Sequence, residues 1–580
     1  MMILKGIPAA PGIAMGKALW FSSEDVPVPR RAIKLEEVPL ELLRLEEAFI
    51  HTRHQILSIQ KKMSEALGEG HAEIFNAHIL VLEDQALREE IINGLKTQLL
   101  NVEVIFNEII QRHLKVFGRT EDEYLRERTA DIEDVRKRVL HNLLGKQPAT
   151  LAKLTESVVV VAKDLSPSET AQMHRQHVLA FVTDIGGRTS HTAIMAKSLE
   201  IPAVVGLEVV TRRIQTGDVV IVDGTRGEVI VDPDAATLQR YEMEKRRYEE
   251  LTRQLLQLKD LPAETLDHHQ VTLSANIELP EEVPSVLAHG AHGIGLFRTE
   301  FLYLNRNDFP TEEEQYEAYR TVAEQIAPRP VIIRTMDLGG DKFLSPLQLA
   351  HEMNPFMGWR AIRFSLARPE IFRIQLRAVL RASVIGNLKL MYPMISGVEE
   401  VRRANEILHE VRQELTREGV AYANDMEVGA MIEVPSAALT CDLLAKEVDF
   451  FSIGTNDLIQ YSLAVDRVNE KIAYLYEPTH PAILRLIKQI IDIGHAANIW
   501  VGMCGEMAGE PPLSLLLLGM GLDEFSTSPV QLPIVKQMIR SVEHSFARSV
   551  AEQAMQLHTG KEVEAFLLAS LKQVAPALVE

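Results

Sequence analysis

Cysteine is nearly absent: Cys441 and Cys504 are the two thiols in 580 residues. Two thiols cannot staple a chain of this length, so a disulfide-framed secreted scaffold is excluded and a reducing, cytoplasmic setting is expected. Long apolar runs are missing as well. No stretch of about eighteen uncharged apolar residues occurs, which argues against a membrane span. The opening MMILKGIPAAPGIAMGKALW is broken by Gly and Pro and lacks the form of a signal peptide. Positive charge is in deficit: 61 Lys and Arg face 81 Asp and Glu, a formal net charge of −20. Such a chain is not a nucleic-acid backbone binder. It can still take an anionic small molecule, because a local arginine cluster overrides the global field. What remains is an ordinary globular composition, 46% hydrophobic and 24% charged, on a chain too long for one core.

The pattern along the chain changes several times. Residues 1–22 read as short strands and turns. From about 36 to 145 Gly and Pro become sparse, and Leu45, Phe49, Thr52, Ile56, Ile59 and Met63 recur at helical spacing on one face. From 157 the runs SVVVVAKDL, VLAFVTD, IPAVVG and DVVIVDG are β-branched and bounded by turn residues. A helical subdomain inserted into an α/β domain accounts for this order. RYEMEKRRYEELTRQLLQLK is charged, free of Gly and Pro, and reads as a linker helix. After 265, eight short apolar runs alternate with helical stretches, the pattern of a (β/α)₈ barrel. The expected domains are 1–22 with 146–232 (α/β), 23–145 (helical), 233–262 (linker helix) and 263–580 (barrel).

The barrel runs end on chemistry. Arg298 ends the second run, Arg334 and Asp337 the third, Glu433 the fifth, Asn456 and Asp457 the sixth, and Cys504 and Glu506 the seventh. The C-terminal ends of barrel strands meet at one mouth. Arg298, Arg334 and Arg467 are fork donors suited to phosphate and carboxylate, and NPFMGWRAIR adds Arg360 or Arg363, with Arg360 favoured. Glu433 and Asp457 are hard oxygen ligands of the kind Mg²⁺ takes together with substrate oxygens. Together they suit a small phosphorylated acid chelating one Mg²⁺. Cys504, between strand end and glycine in GMCGE, suits a proton donor better than a nucleophile or a zinc ligand, since no second thiol lies near it in sequence.

GGRTSHTAIMAKSLEIPAVVG, Gly186–Gly206, places His191 after two glycines and two hydroxyl residues, where a helix begins. A helix N-terminus offers unpaired amides and a positive dipole end to an anion. Imidazole is a good nucleophile near neutral pH, so a phosphate carried on His191 suits this position. A capping or zinc-binding histidine is the rival reading. No second histidine stands at ligand spacing, and a cap does not need the Gly-Gly lead-in.

That segment resembles the phosphohistidine segment of the PEP-utilising enzymes. GIGLFRTEF, RTMDLGGDK, NPFMGWRAIR, MIEVP, FFSIGTNDLIQY and GMCGEMAG are similar to that family's PEP-binding barrel. The order and length are those of its enzyme I branch, which acts in sugar phosphotransferase systems. The resemblance implies a swivelling phosphohistidine domain with an inserted helical bundle, followed by the barrel. It implies that His191 is phosphorylated from phosphoenolpyruvate (PEP) with Mg²⁺, releasing pyruvate, and passes the group to a histidine of the carrier HPr. Arg298, Arg334, Arg360, Asn456, Asp457 and Arg467 would bind PEP, Glu433 and Asp457 the metal, and Cys504 would donate a proton. The helical insertion would dock HPr around AEIFNAHILVLEDQALREEII, where His78 serves the docking surface or the helix packing, and the barrel would dimerise. The nucleotide-linked relatives need a large ATP-binding domain, whereas 185 residues precede Gly186, mostly helical and without a glycine-rich phosphate loop. A docking-only regulatory module does not need the full set of Arg, Glu, Asp, Cys and His.

Overall fold

A computed structural model describes residues 1–21, 28–67, 74–117, 123–145, 154, 156–165, 177–186, 196, 201–303, 308–339, 354–467, 469 and 472–579. They form two compact units, Met1–Thr252 and Arg253–Glu580. Among the described residues no helix is long and apolar enough to cross a membrane.

In the first unit the short β-branched runs become strands β1 (Met2–Lys5), β2 (Ile7–Ala10), β3 (Ile13–Trp20), β4 (Val158–Ala162), β5 (Val178–Thr183), β6 (Ala203–Val205), β7 (Val219–Asp223) and β8 (Glu228–Val231). They make one sheet in the order β1-β8-β7-β3-β4-β5-β6-β2. The central β3 to β6 run parallel, and β7 and β2 flank them antiparallel. Central strands read as continuous valine runs because both faces are covered. Val160, Phe181 and Val205 face one core, and Val159, Val161 and Val222 the other.

β3 and β4 are neighbours, with Trp20 opposite Val161, yet the helices Val38–Leu67, Ile74–Glu83, Gln85–Gln98, Val102–Phe117 and Glu123–Leu143 lie between them in sequence. The stripe Leu45, Phe49, Ile56 and Ile59 packs into their core with Phe106, Val135 and Val139. Thr52 joins that stripe because its hydroxyl donates to the Ala48 carbonyl at 2.7 Å, inside the helix. The buried carboxylates Glu41 and Glu103 are matched by guanidiniums: Arg31 and Arg44 reach Glu41 at 2.6 and 2.9 Å, and Arg44 also bonds Glu103. His78 is fully buried, 3.4 Å from Asp134. Of the two roles open to it, helix packing is the one that its burial supports. The helix Ala235–Gln257 seats Tyr241 on Ile221 and Ile230 of the sheet. Arg226 ties it further, reaching Asp223 at 3.2 Å and Glu244 at 2.7 Å.

The second unit holds β9 (Thr272–Ile277), β10 (Gly293–Arg298), β11 (Val331–Arg334), β12 (Leu388–Tyr392), β13 (Val428–Ile432), β14 (Phe450–Ile453), β15 (Trp500–Met503) and β16 (Glu524–Thr527). Each lies inside one of the eight apolar runs, and they close into a barrel of parallel neighbours. Leu296, Ile332, Met391, Met431 and Phe450 pack together with Cys504 in a cluster apart from the main core. Towards the strand N-termini the polar layer is paired: Ser274 donates to Glu524 at 2.6 Å, and Lys389 bonds Glu427 at 2.8 Å. One hydrogen bond and one ion pair tie the strands at this end, and the candidate chemistry lies at the opposite, C-terminal end.

Where the chain enters the barrel, buried Lys536 donates to the carbonyls of Lys259 at 2.8 Å and Gly290 at 3.1 Å. Gly290 has φ +71°, and a Cβ there would stand 2.2 Å from the Lys259 carbonyl oxygen. Both the dihedral and the backbone contact demand glycine. Gly290→Ala is expected to destabilise the barrel unit by about 2–4 kcal/mol. Urea unfolding of the variant checks this; an unchanged midpoint contradicts it.

Candidate active site at the barrel mouth

β11 ends on Arg334, and the segment after it carries Asp337. Arg334 reaches Glu300 at 2.9 Å and Asp337 at 3.1 Å. Asp337 also takes the Arg360 guanidinium, at 2.8 Å, and Arg360 continues to Asp457 at 3.2 Å. An alternating chain results: Glu300, Arg334, Asp337, Arg360, Asp457. Burial disfavours the charge on Arg334, but Glu300 and Asp337 outweigh it and hold the guanidinium firmly protonated. Arg360 has the same balance, with Asp337 and Asp457 outweighing burial. Arg363 instead turns to the carbonyls of Met357 and Gly358, at 3.1 and 3.2 Å. Of the two arginines in NPFMGWRAIR, only Arg360 joins the chain of charges.

Glu433 follows β13 and is buried. Its Oε1 accepts the Met394 amide at 2.6 Å. Met394 has φ +56°, and Ala361, next to Arg360, has φ +53°. Non-glycine residues in that region mark backbone held under constraint, a feature that concentrates at functional sites. Gly454 lies so close that a Cβ on it would stand 2.6 Å from Glu433 Oε2. Burial raises the Glu433 carboxyl well above the ordinary carboxylate range, and the charges of Asp457 and Asp337 raise it further. Arg334 and Arg360 offset this only in part.

Among the described residues no three His, Cys, Asp or Glu side chains gather as a metal cage. Mg²⁺ does not need one, because it takes one or two carboxylates and completes its octahedron with water and substrate oxygens. Glu433 and Asp457, two mutually repelling carboxylates at one mouth, are a donor set that fits a divalent cation.

Cys504 follows β15 and is 4% exposed. Burial pushes its thiol up to about 11, against the pull of the neighbouring Ser452 hydroxyl and of Arg334. The thiol is therefore neutral and carries a proton at physiological pH. Its sulfur is 3.9 Å from the Ile453 carbonyl. Cys441 is also buried, away from this cluster in the main core.

The remaining mouth residues form two smaller groups. Arg298 ends β10 and bonds Glu278 at 2.7 Å. Asn456, in the first turn of the helix Thr455–Leu463, exchanges bonds with Glu506: its Nδ2 donates at 3.3 Å and its Oδ1 accepts the Glu506 amide at 3.2 Å. Arg467 reaches the same carboxylate at 3.7 Å. His191, with Thr189 and Ser190, lies outside the described residues; the strand before it, β5, ends at Thr183, one residue before Asp184, where the run VLAFVTD ends in the sequence. Sequence reading did not single out Glu278, Glu300 or Tyr461, the partners of Arg298, Arg334 and Arg360. Glu300 stands two residues after Arg298 in FRTEF, and Tyr461 one turn after Asp457 in TNDLIQY. Those spacings were the available signal.

Three domains of the PEP-utilising enzymes match in order: the N-terminal domain over residues 5–128, the mobile domain over 154–227 and the PEP-binding domain over 252–544. A phosphoenolpyruvate-protein phosphotransferase of Geobacillus stearothermophilus is 48% identical over 564 residues, 97% of each chain. One from Bacillus subtilis (strain 168) is 47% identical over 572 residues, 99% of this chain and 100% of its own. One from Haemophilus influenzae (strain ATCC 51907 / DSM 11121 / KW20 / Rd) is 47% identical over 562 residues, 97% of this chain and 98% of its own. With every domain matched and nearly half of the aligned positions identical from end to end, the chain belongs to the phosphoenolpyruvate-protein phosphotransferases of the PEP-utilising enzyme family.

Proposed function

We propose that this protein takes the phosphoryl group of PEP onto His191, releases pyruvate, and hands the group to a histidine of the phosphocarrier HPr, the first step of sugar uptake by a phosphotransferase system. The observation that carries the reading is the meeting of arginines, carboxylates and a neutral thiol at one barrel mouth. PEP needs all three: cations for its phosphate and carboxylate, ligands for a metal, and an acid for its methylene carbon.

Arg298, Arg334, Arg360, Asn456, Asp457 and Arg467 are the residues assigned to PEP. Fork donors match its planar carboxylate and its phosphate oxygens. Glu433 and Asp457 would hold Mg²⁺, which when bound supplies charge neutralisation on the transferring group. An imidazole nitrogen of His191 forms a bond to phosphorus as the bond from phosphorus to the enolate oxygen breaks. Cys504 gives its proton to the methylene carbon, and the enolate becomes pyruvate. A histidine of HPr then attacks the same phosphorus and frees His191. On the helical insertion Leu40, Leu43, Ile50 and Leu57 are exposed along one helix, with Leu80 on the next. That apolar surface supports docking of a carrier protein there. On the barrel Leu439, Leu443, Tyr474 and Leu475 are exposed, which supports a homodimer through the barrel.

Three outcomes follow from this division of roles. His191→Ala is expected to take up no acid-labile phosphate from labelled PEP and Mg²⁺, with its unfolding transition intact; normal labelling moves the covalent step elsewhere. Glu433→Ala and Asp457→Ala should each stop labelling from PEP, since Mg²⁺ does not readily replace a lost ligand in its octahedral shell. Both should still exchange phosphate with phospho-HPr, a step that uses no barrel carboxylate, and unchanged Mg²⁺ dependence in the two variants would place the metal elsewhere.

Cys504→Ala should slow pyruvate formation by about 10²–10⁴-fold, while exchange between His191 and HPr is spared. The pH dependence separates this thiol from an ordinary one. A donor acid works while protonated, so a thiol raised to about 11 keeps its proton through the ordinary thiol range and loses it only above. Pyruvate formation from PEP should therefore persist beyond about pH 9. A decline centred on the ordinary thiol value contradicts the assignment.

A further inference from the structure

The arginine chain at the mouth begins on a carboxylate at the opposite end from Asp457. Glu300 lies in the turn Thr299–Leu302 that follows β10, and it is buried. A single oxygen, Oε1, accepts both the Arg334 guanidinium and the Asp337 backbone amide, each at 2.9 Å. Asp337 in turn grips Arg334 from its other side at 3.1 Å. Glu300 therefore fixes an arginine together with the backbone of the residue that flanks it.

The surroundings show how rigidly the segment from Arg334 to Asp337 is held. The Thr299 hydroxyl donates to the Arg334 carbonyl at 2.9 Å. The Met336 amide donates to Gln375 Oε1 at 2.9 Å, and Gln375 Nε2 donates to Thr299 Oγ1 at 3.1 Å. Thr299, Glu300 and Gln375 thus pin three points of four consecutive residues. Gln375 and Thr299 bond backbone, one another and the Tyr319 hydroxyl, whereas Glu300 bonds a guanidinium of the site itself. A guanidinium fork reads a carboxylate or phosphate well only when its plane is set beforehand.

We propose that Glu300 is a positioning residue for PEP binding that orients the Arg334 fork; its second bond, to the Asp337 amide, holds backbone. The inference rests on the assignment of Arg334 to PEP made above. Glu300 acts through Arg334 and not on substrate, so its effect should vanish when Arg334 is gone.

The test is a double-mutant cycle in the full chain, reading pyruvate release from PEP with HPr as acceptor. Glu300→Gln keeps the shape and deletes the charge; Glu300→Asp keeps the charge and withdraws it by one methylene. Each is expected to raise KM for PEP by about tenfold with kcat within about threefold, the mark of a lost binding contact. In an Arg334→Ala background neither should change kcat/KM by more than about twofold, because the two residues act through one contact. Thermal unfolding identifies any variant that fails to fold, and the other then carries the cycle. A wild-type KM in either folded variant overturns the proposal. So does an equal loss with and without Arg334, which is what a structural role independent of Arg334, through the Asp337 amide, would give. A wild-type kcat/KM for Arg334→Ala itself sinks the assignment of Arg334, and the inference with it.

Discussion

Two guanidinium groups cannot be buried side by side at a barrel mouth unless a carboxylate lies between them. Desolvation and mutual repulsion would otherwise drive one of them out to water. Asp337 is that carboxylate, bonding Arg334 on one side and Arg360 on the other. The ends of the chain close with Glu300 and Asp457. This alternation lets a chain of formal charge −20 keep a concentrated pair of cations ready for an anionic substrate. It also explains why removing one member costs more than one contact: a partner is left buried with its charge uncompensated.

The same alternation defines the surroundings of Glu433, one of the two carboxylates proposed to hold the metal. Glu433 takes a backbone amide rather than a guanidinium, and it feels Asp457 and Asp337. It is the member of the cluster most in need of a further cation. The backbone around it is correspondingly constrained: Met394 adopts a positive φ to deliver its amide, and Gly454 leaves the space in which the Glu433 carboxylate lies. Tyr461 adds a second tie, bonding the Phe356 carbonyl and standing 3.4 Å from Arg360. Constraint of this kind costs stability locally and is retained because the large apolar core of the barrel outweighs it.

Cys504 illustrates the opposite use of burial. It packs with Leu296, Ile332, Met391, Met431 and Phe450. Those side chains supply no charge, so the thiol keeps its proton. A carboxylic acid at the same position would have to be neutralised by burial alone to do the same work. The arginines bind in a polar layer, the thiol sits against an apolar one, and the two layers meet at the ends of the strands. One barrel thereby offers both strong cations and a weak acid within a single mouth.

Much of this was legible in the sequence, for definite reasons. Parallel barrel strands are covered on both faces, so they appear as short apolar runs, and all eight runs contain a strand. Their C-terminal ends meet whatever the side chains are, so Arg298, Arg334, Glu433 and Cys504 could be placed at one mouth by counting strands. The helical face Leu45, Phe49, Ile56 and Ile59 was equally plain from its spacing. Partners were not legible. That Arg360 and not Arg363 joins the charges depends on the backbone turn at Ala361, which points one to Asp337 and the other to local carbonyls. Whether His78 is at a surface or in a core depends on the helices packed around it, and they bury it completely. Glu300 reads in the sequence as one more acidic residue; only the approach of β11 to the turn after β10 makes it the anchor of an arginine. Periodicity belongs to single elements and is written along the chain, whereas the pairing of charges is a property of distances between elements, which the tertiary structure alone decides.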